Sequence, residues 1–123
     1  MKILVDTHVL LWWLSDDPKL PKHHRELIQD PSNRVLVSSV SIAEISIKAS
    51  LGKLEAPEGV VAAVTQSGFE VLDFKAAHAE RLRALPWHHR DPFDRMLVAQ
   101  TQEESLVLLT VDQRIREYDI DIV

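Results

Sequence analysis

Apolar residues in this chain fall in short unbroken runs separated by stretches of helical period. Lys2 to Val5 (KILV), Arg34 to Val37 (RVLV), Phe69 to Phe74 (FEVLDF) and Leu106 to Thr110 (LVLLT) predict four strands, and Ile120 to Val123 (IDIV) a short edge strand. Runs that are apolar throughout suit a parallel sheet covered on both faces. Between them, Val9 to Leu14 predicts a buried helix stopped by Asp16, Asp17 and Pro18, and Pro21 to Gln29 a helix with His23, His24, Arg25 and Glu26 on its wet face. Ser38, Ser39 and Ser41 are each able to cap a helix from about Ser41 to Leu51, and Ser41 with Glu44 has capping-box spacing. Pro57 to Gln66 predicts a helix, as does Ala76 to Leu85, the latter with Ala79, Leu82 and Leu85 as its buried stripe. A polar loop, WHHRD, leads to a last helix from Pro92 to about Glu104. Strands alternating with helices imply an α/β fold with a mostly parallel sheet of four to five strands. No repeat or linker interrupts the chain, so residues 1–123 are expected to form one domain.

Composition narrows the chemistry. With 123 residues the chain is long enough to bury about two-thirds of its unfolded surface without staples. The absence of Cys excludes a disulfide scaffold, Cys-based zinc sites and a thiol nucleophile. The longest apolar runs are far short of the roughly 18 residues a bilayer requires, and Asp6 interrupts the N-terminus too early for a signal peptide, so a soluble, cytoplasmic protein with no membrane partner is expected. A net charge of −5 argues at first against a nucleic-acid partner.

The placement of the acids changes that picture. In open α/β sheets, ligands bind beyond the carboxyl ends of the strands, where the strand order reverses. Asp6 directly follows the first strand, and Asp112 lies two residues beyond the fourth. Glu44 falls in the first turn of the predicted Ser-rich helix, and Asp91 and Asp94 flank the start of the late helix. Singly, each has an ordinary use as a turn residue or helix cap. Together they would repel strongly unless a cation lay among them. Oxygen ligands without Cys favour a hard ion, Mg²⁺ or Mn²⁺, which suits phosphoryl chemistry through metal-activated water.

The strings LVDTHVLLWWL (4–14), SSVSIAEISIKASLGKL (38–54), HRDPFDRMLVAQ (89–100) and LLTVD (108–112) resemble, in order and interval, the motifs of PIN-domain ribonucleases, most of all the toxins of VapBC-type toxin–antitoxin modules. That resemblance spans essentially the whole chain. It implies a three-layer α/β/α fold with strand order 3-2-1-4-5, and an Mg²⁺- or Mn²⁺-dependent endoribonuclease held by Asp6, Glu44, Asp94 and Asp112. It implies supporting roles for Thr7, Ser41 and Thr110. Asp94 rather than Asp91 matches the family's interval, which leaves Asp91 as a supporting neighbour. Expected partners are an RNA substrate, a cognate antitoxin and a second copy in a homodimer.

His8, Arg90, Arg95 and Arg114 stand near these acids in sequence as candidate RNA contacts, each equally readable as an ordinary solvated group. His88 and His89 suit a proton relay or base stacking, or simple exposure in a loop. Of the adjacent Trp12 and Trp13, one is free to face a partner, and Ile45, Ile47, Leu51, Val60, Val61 and Val64 offer more apolar surface than one seam needs. Two other classes fit parts of the pattern. One is a PIN-like RNA- or protein-binding module without catalysis. The other is a phosphoaspartyl phosphatase or receiver, although His8 stands where the former carries a second acid, and the receiver's acidic pair and late Lys are missing.

Overall fold

Short, wholly apolar strands are stable only when both faces are covered, and the architecture follows from that requirement. The computed structural model describes residues 1–123. In chain order it comprises β1 (Lys2–Val5), α1 (Thr7–Leu14), α2 (Lys22–Gln29), β2 (Arg34–Ser38), α3 (Ser39–Ser50), α4 (Val60–Gln66) and β3 (Glu70–Leu72). There follow α5 (Ala76–Arg81), α6 (Pro92–Glu103), β4 (Val107–Leu109) and β5 (Asp121–Ile122), with tight 3₁₀ turns at Leu82–Ala84 and Ile115–Glu117. The sheet order is β3-β2-β1-β4-β5 and every pair is parallel.

Alternation along each strand divides the core in two. Ile3, Val5, Val35, Val37 and Leu109 point to one face, where they pack with Val9 and Leu10 of α1, Ile28 of α2, Ile45 of α3 and Val60 and Val64 of α4. Leu4, Leu36 and Leu108, level with one another across β1, β2 and β4, point to the other face and meet Leu97, Val98 and Ala99 of α6. Leu4 has no exposed surface, and its truncation to Ala would cost about 2–5 kcal/mol.

Local departures from the sequence reading have simple causes. α3 starts at Ser39 because Ser38, not Ser41, takes the cap, its hydroxyl accepting from the Val40 amide; Ser41 is buried inside the helix. α4 starts at Val60, not Pro57, because Gly59 adopts a left-handed conformation (φ 68°), which glycine takes without the steric cost a side chain adds and which breaks the helical run. In α2, His24 turns inward beside Ile28, one helical turn on, instead of lying on the wet face. In α5 the buried position is His78, while Ala79 is exposed.

Because β1 connects towards β2 on one side and β4 lies on its other side, the strand order reverses between β1 and β4. The crevice at their carboxyl ends is the place such a sheet offers to a ligand.

Candidate metal centre

Asp6 ends β1 and caps α1. Its backbone N–H donates to Leu109 O (3.0 Å), its Oδ1 accepts from the His8 amide (3.2 Å), and its Oδ2 accepts from the Thr110 hydroxyl (2.5 Å). The same Thr110 Oγ1 accepts from the Asp112 amide (3.1 Å), so one hydroxyl ties the two sides of the crevice together. Burial raises the Asp6 pKa, and the Thr110 and His8 hydrogen bonds oppose that rise. Thr7 Oγ1 donates to Ser41 Oγ (2.9 Å, both buried) and fixes α1 against α3 one turn before Glu44.

Glu44 is 4% exposed. Its Oε2 accepts from Lys48, one turn along α3, while its Oε1 is buried without any partner. An unpaired buried carboxylate oxygen is costly and calls for a function or a ligand. Lys48 was not singled out from the sequence, although its i,i+4 spacing from Glu44 is the signal that would have found it.

Of the two aspartates in DPFDR, Asp91 is the α6 cap, its Oδ1 accepting from the Phe93 (2.9 Å) and Asp94 (3.1 Å) amides. Asp94, in the first turn, faces the other acids. Its pKa is pushed up to about 8, first by burial and then by Asp6, Asp91, Glu44 and Asp112. Full ionisation of the cluster is thus unfavourable, and a proton is retained most readily on Asp94.

His89 is the residue that sequence reasoning left in an exposed loop. It is 6% exposed, and its Nε2 hydrogen-bonds Asp112 Oδ2 (3.2 Å) and lies 3.0 Å from Asp94 Oδ2. Its Nδ1 accepts the Asp91 backbone N–H (3.1 Å). A backbone N–H only donates, so the ring proton must sit on Nε2, between the two carboxylates. The potential ligand atoms of His89, Asp94 and Asp112 lie within 4.8 Å of one another. In this tautomer, however, the imidazole orients the acids as a donor rather than offering a lone pair to a metal. Nothing in the sequence distinguished it from His88, which is exposed and pairs with Glu117 (3.3 Å).

The donor set fits a hard divalent cation. Four carboxylates from β1, α3, α6 and the β4 exit supply oxygen, one oxygen lacks any partner, and one carboxylate retains a proton that a cation would displace.

A family model for the PIN domain matches residues 3–121. The chain belongs to the PIN-domain family. Among solved structures it is similar to VapBC2 from Rickettsia felis, crystallised bound to a DNA fragment from its promoter, at 16% identity and a TM-score of 0.73, covering 100% of this chain and 98% of that one. It is similar to DNA-bound VapBC from Salmonella typhimurium at 25% identity and a TM-score of 0.72, covering 100% and 97%. The likeness to VapBC-5 from Mycobacterium tuberculosis has 18% identity and a TM-score of 0.62, covering 99% and 97%. No curated protein matches the sequence significantly.

Around the acids of this PIN domain, the candidate RNA contacts separate. His8, Arg90 and Arg114 are exposed, with the Arg114 amide on Asp112 Oδ1 (2.9 Å). Arg95 is not available to RNA: it is 5% exposed, and its guanidinium binds Pro86 O (2.8 Å), the Tyr118 hydroxyl (3.1 Å) and Leu85 O (3.4 Å). The three carbonyl groups at the close of the preceding turn, those of Leu82, Leu85 and Pro86, require a forked donor, which is why an arginine is buried here. Neither Trp12 nor Trp13 is fully exposed, and Trp13 packs on Phe69. No helix is long and apolar enough to cross a membrane.

Proposed function

We propose that this PIN domain is an Mg²⁺- or Mn²⁺-dependent endoribonuclease acting as the toxin of a VapBC-type pair. The observation that carries the reading is the convergence of Asp6, Glu44, Asp94 and Asp112 on one crevice, with Glu44 Oε1 unpartnered and Asp94 held near pKa 8. These four residues would hold the ion. When bound, it supplies a water of lowered pKa and neutralises charge on the phosphate. The chain's own groups do the positioning. Thr110 and the His8 amide orient Asp6, Lys48 neutralises the outer oxygen of Glu44, and His89 Nε2–H steadies Asp112 beside Asp94. Asp91 supports Asp94 from the helix cap, and exposed Arg90, Arg114 and His8 stand ready for backbone phosphates.

An antitoxin and a second copy of the chain are the proposed protein partners. Support comes from the VapBC complexes that the fold matches. It comes also from exposed Val61, which lines a cleft of about 370 Å³ with Ile42, Ala49 and Ala56, and from exposed Ile47 and Leu51. A phosphoaspartyl role is disfavoured, because His8 stands where such a phosphatase carries a second acid, and the acidic pair and late Lys of a receiver are missing.

Purified protein should cleave single-stranded RNA with Mn²⁺ or Mg²⁺ and not with EDTA, and Asp6→Asn should abolish cleavage while keeping the circular-dichroism melt of a folded domain. Full cleavage by Asp6→Asn overturns the site. Metal binding without turnover on any RNA leaves the silent binding module.

A further inference from the structure

The loop between α5 and α6 sends two aromatic side chains to different places. His89 turns in to the acids. Trp87, two residues earlier, is 75% exposed. One face of its indole is covered, because the Arg95 guanidinium lies 3.7 Å from the ring centroid. Arg95 is itself anchored by the Pro86 and Leu85 carbonyls and the Tyr118 hydroxyl, so the indole stacks on a fixed, buried cation and presents its other face to solvent. With Arg83, Arg90, Pro92 and Met96 these two residues line a cleft of about 290 Å³. Arg83 and Arg90 are exposed, and neither forms an ion pair within the chain. No acid lines the cleft, in a chain whose net charge is −5.

The cleft and the acid cluster share the first turns of α6. Asp94 stands midway between Pro92 and Met96 on α6 and about 200° around the helix from each, so cleft and acids lie on opposite sides of the same first turns, roughly one helix diameter (~10–12 Å) apart. A strand reaching both would pass around the helix N-terminus, as flexible single-stranded RNA is able to do.

We propose that this cleft is a single-stranded RNA subsite in which an unpaired base stacks on the open face of Trp87 while Arg83 and Arg90 take neighbouring phosphates. The proposal rests on the nuclease reading for its substrate class. Guanidinium groups without a counter-acid suit phosphate, and an aromatic face accepts any base. A protein partner is better met by the apolar surface of Ile47, Leu51 and Val61.

The test is binding of a labelled single-stranded RNA of about 12 nucleotides to the Asp94→Asn chain in Mn²⁺, followed by anisotropy. Adding Trp87→Ala should weaken binding by about 5- to 150-fold, with part regained in Trp87→Phe. Equal affinity with and without the indole overturns the subsite. Because Trp87→Ala also uncovers Arg95, Arg83→Gln provides a second reading on an exposed residue: the slope of log K against log salt should shrink by about 0.7, and an unchanged slope overturns the phosphate contact. A change in sedimentation with RNA affinity intact would make Trp87 a protein contact instead, against the proposal. Cleavage by the parent chain is scored separately. Trp87-dependent binding without cleavage keeps the subsite and removes the nuclease reading; cleavage with Trp87-independent binding does the reverse.

Discussion

The two ends of α6 each hold a buried histidine wired in the same way. At the C-terminal end, His78 Nδ1 accepts the Lys75 backbone N–H (2.9 Å) and its Nε2 meets Glu104 Oε1 (2.8 Å). At the N-terminal end, His89 Nδ1 accepts the Asp91 N–H and its Nε2 meets Asp112, with Asp94 beside it. The surroundings differ. Glu104 is a single carboxylate shared by a histidine and Lys75 (3.8 Å), so charge there is balanced and the arrangement holds α5 to α6. Around His89, four acids and Asp91 face only Lys48 and, at the exposed rim, Arg114 (3.7 Å from Asp112), and Asp94 is driven to about 8. Similar local hydrogen bonding thus serves packing at one end and leaves an electrostatic deficit at the other, and that deficit supports the proposed metal site there.

Substitution separates the two ends. His89→Ala should lower metal-dependent cleavage by about 10–100-fold, since a group orienting the acids is lost, while the fold survives. Loss of the fold with no specific loss of cleavage per folded molecule would show the two histidines to be equivalent. His78→Ala should do the opposite, costing about 1–3 kcal/mol in denaturant melts by orphaning the Lys75 amide and Glu104, with cleavage per folded molecule retained.

Asp94→Asn should stabilise the metal-free chain by about 0.5–2 kcal/mol by relieving the crowding, at the expense of activity. The accompanying pH dependence has a definite sign. Because the folded-state pKa of Asp94, about 8, lies above its unfolded value of 3.8, the folded chain keeps a proton that the unfolded chain has released. Stability from this group is therefore complete below 3.8 and is lost as pH rises towards 8. Melting temperatures measured in EDTA across that window should show the fall, Asp94→Asn should reduce it to the smaller share that Asp6 contributes, and Mn²⁺ should offset it at the alkaline end. A flat profile in the parent chain would count against the crowded cluster. The smallest effect belongs to Lys75→Ala, whose half-exposed pair should be worth no more than about 0.5 kcal/mol.

Much of this was legible in the chain itself. The runs KILV, RVLV and LVLLT appear as β1, β2 and β4 within a residue or two, because a strand buried on both faces has no polar position to obscure it. Asp6, Glu44, Asp94 and Asp112 stood out as candidates because strand exits and the helices that follow or precede them share the carboxyl-end rim of a parallel sheet. Local competition was harder to foresee: three serines could cap α3, and only packing against Thr7 drew Ser41 inward.

His89 and Arg95 lay beyond sequence pattern altogether. His89 sits next to another histidine and Arg95 next to an acid, and each is buried by partners distant in sequence: Asp112 for His89, and Tyr118 for both. Periodicity determined the alternating layers, the order of four motifs carried the likeness to the PIN family, and the acids at the rim followed from their positions beside strands and helix starts, since all of these depend on residue type and spacing along one chain. Only the tertiary structure decided which of two adjacent histidines holds the acids, which arginine is spent on carbonyls and which tryptophan stays open. Those outcomes depend on where unpaired backbone groups and unlike elements meet, and that is set by the packing of the sheet and helices.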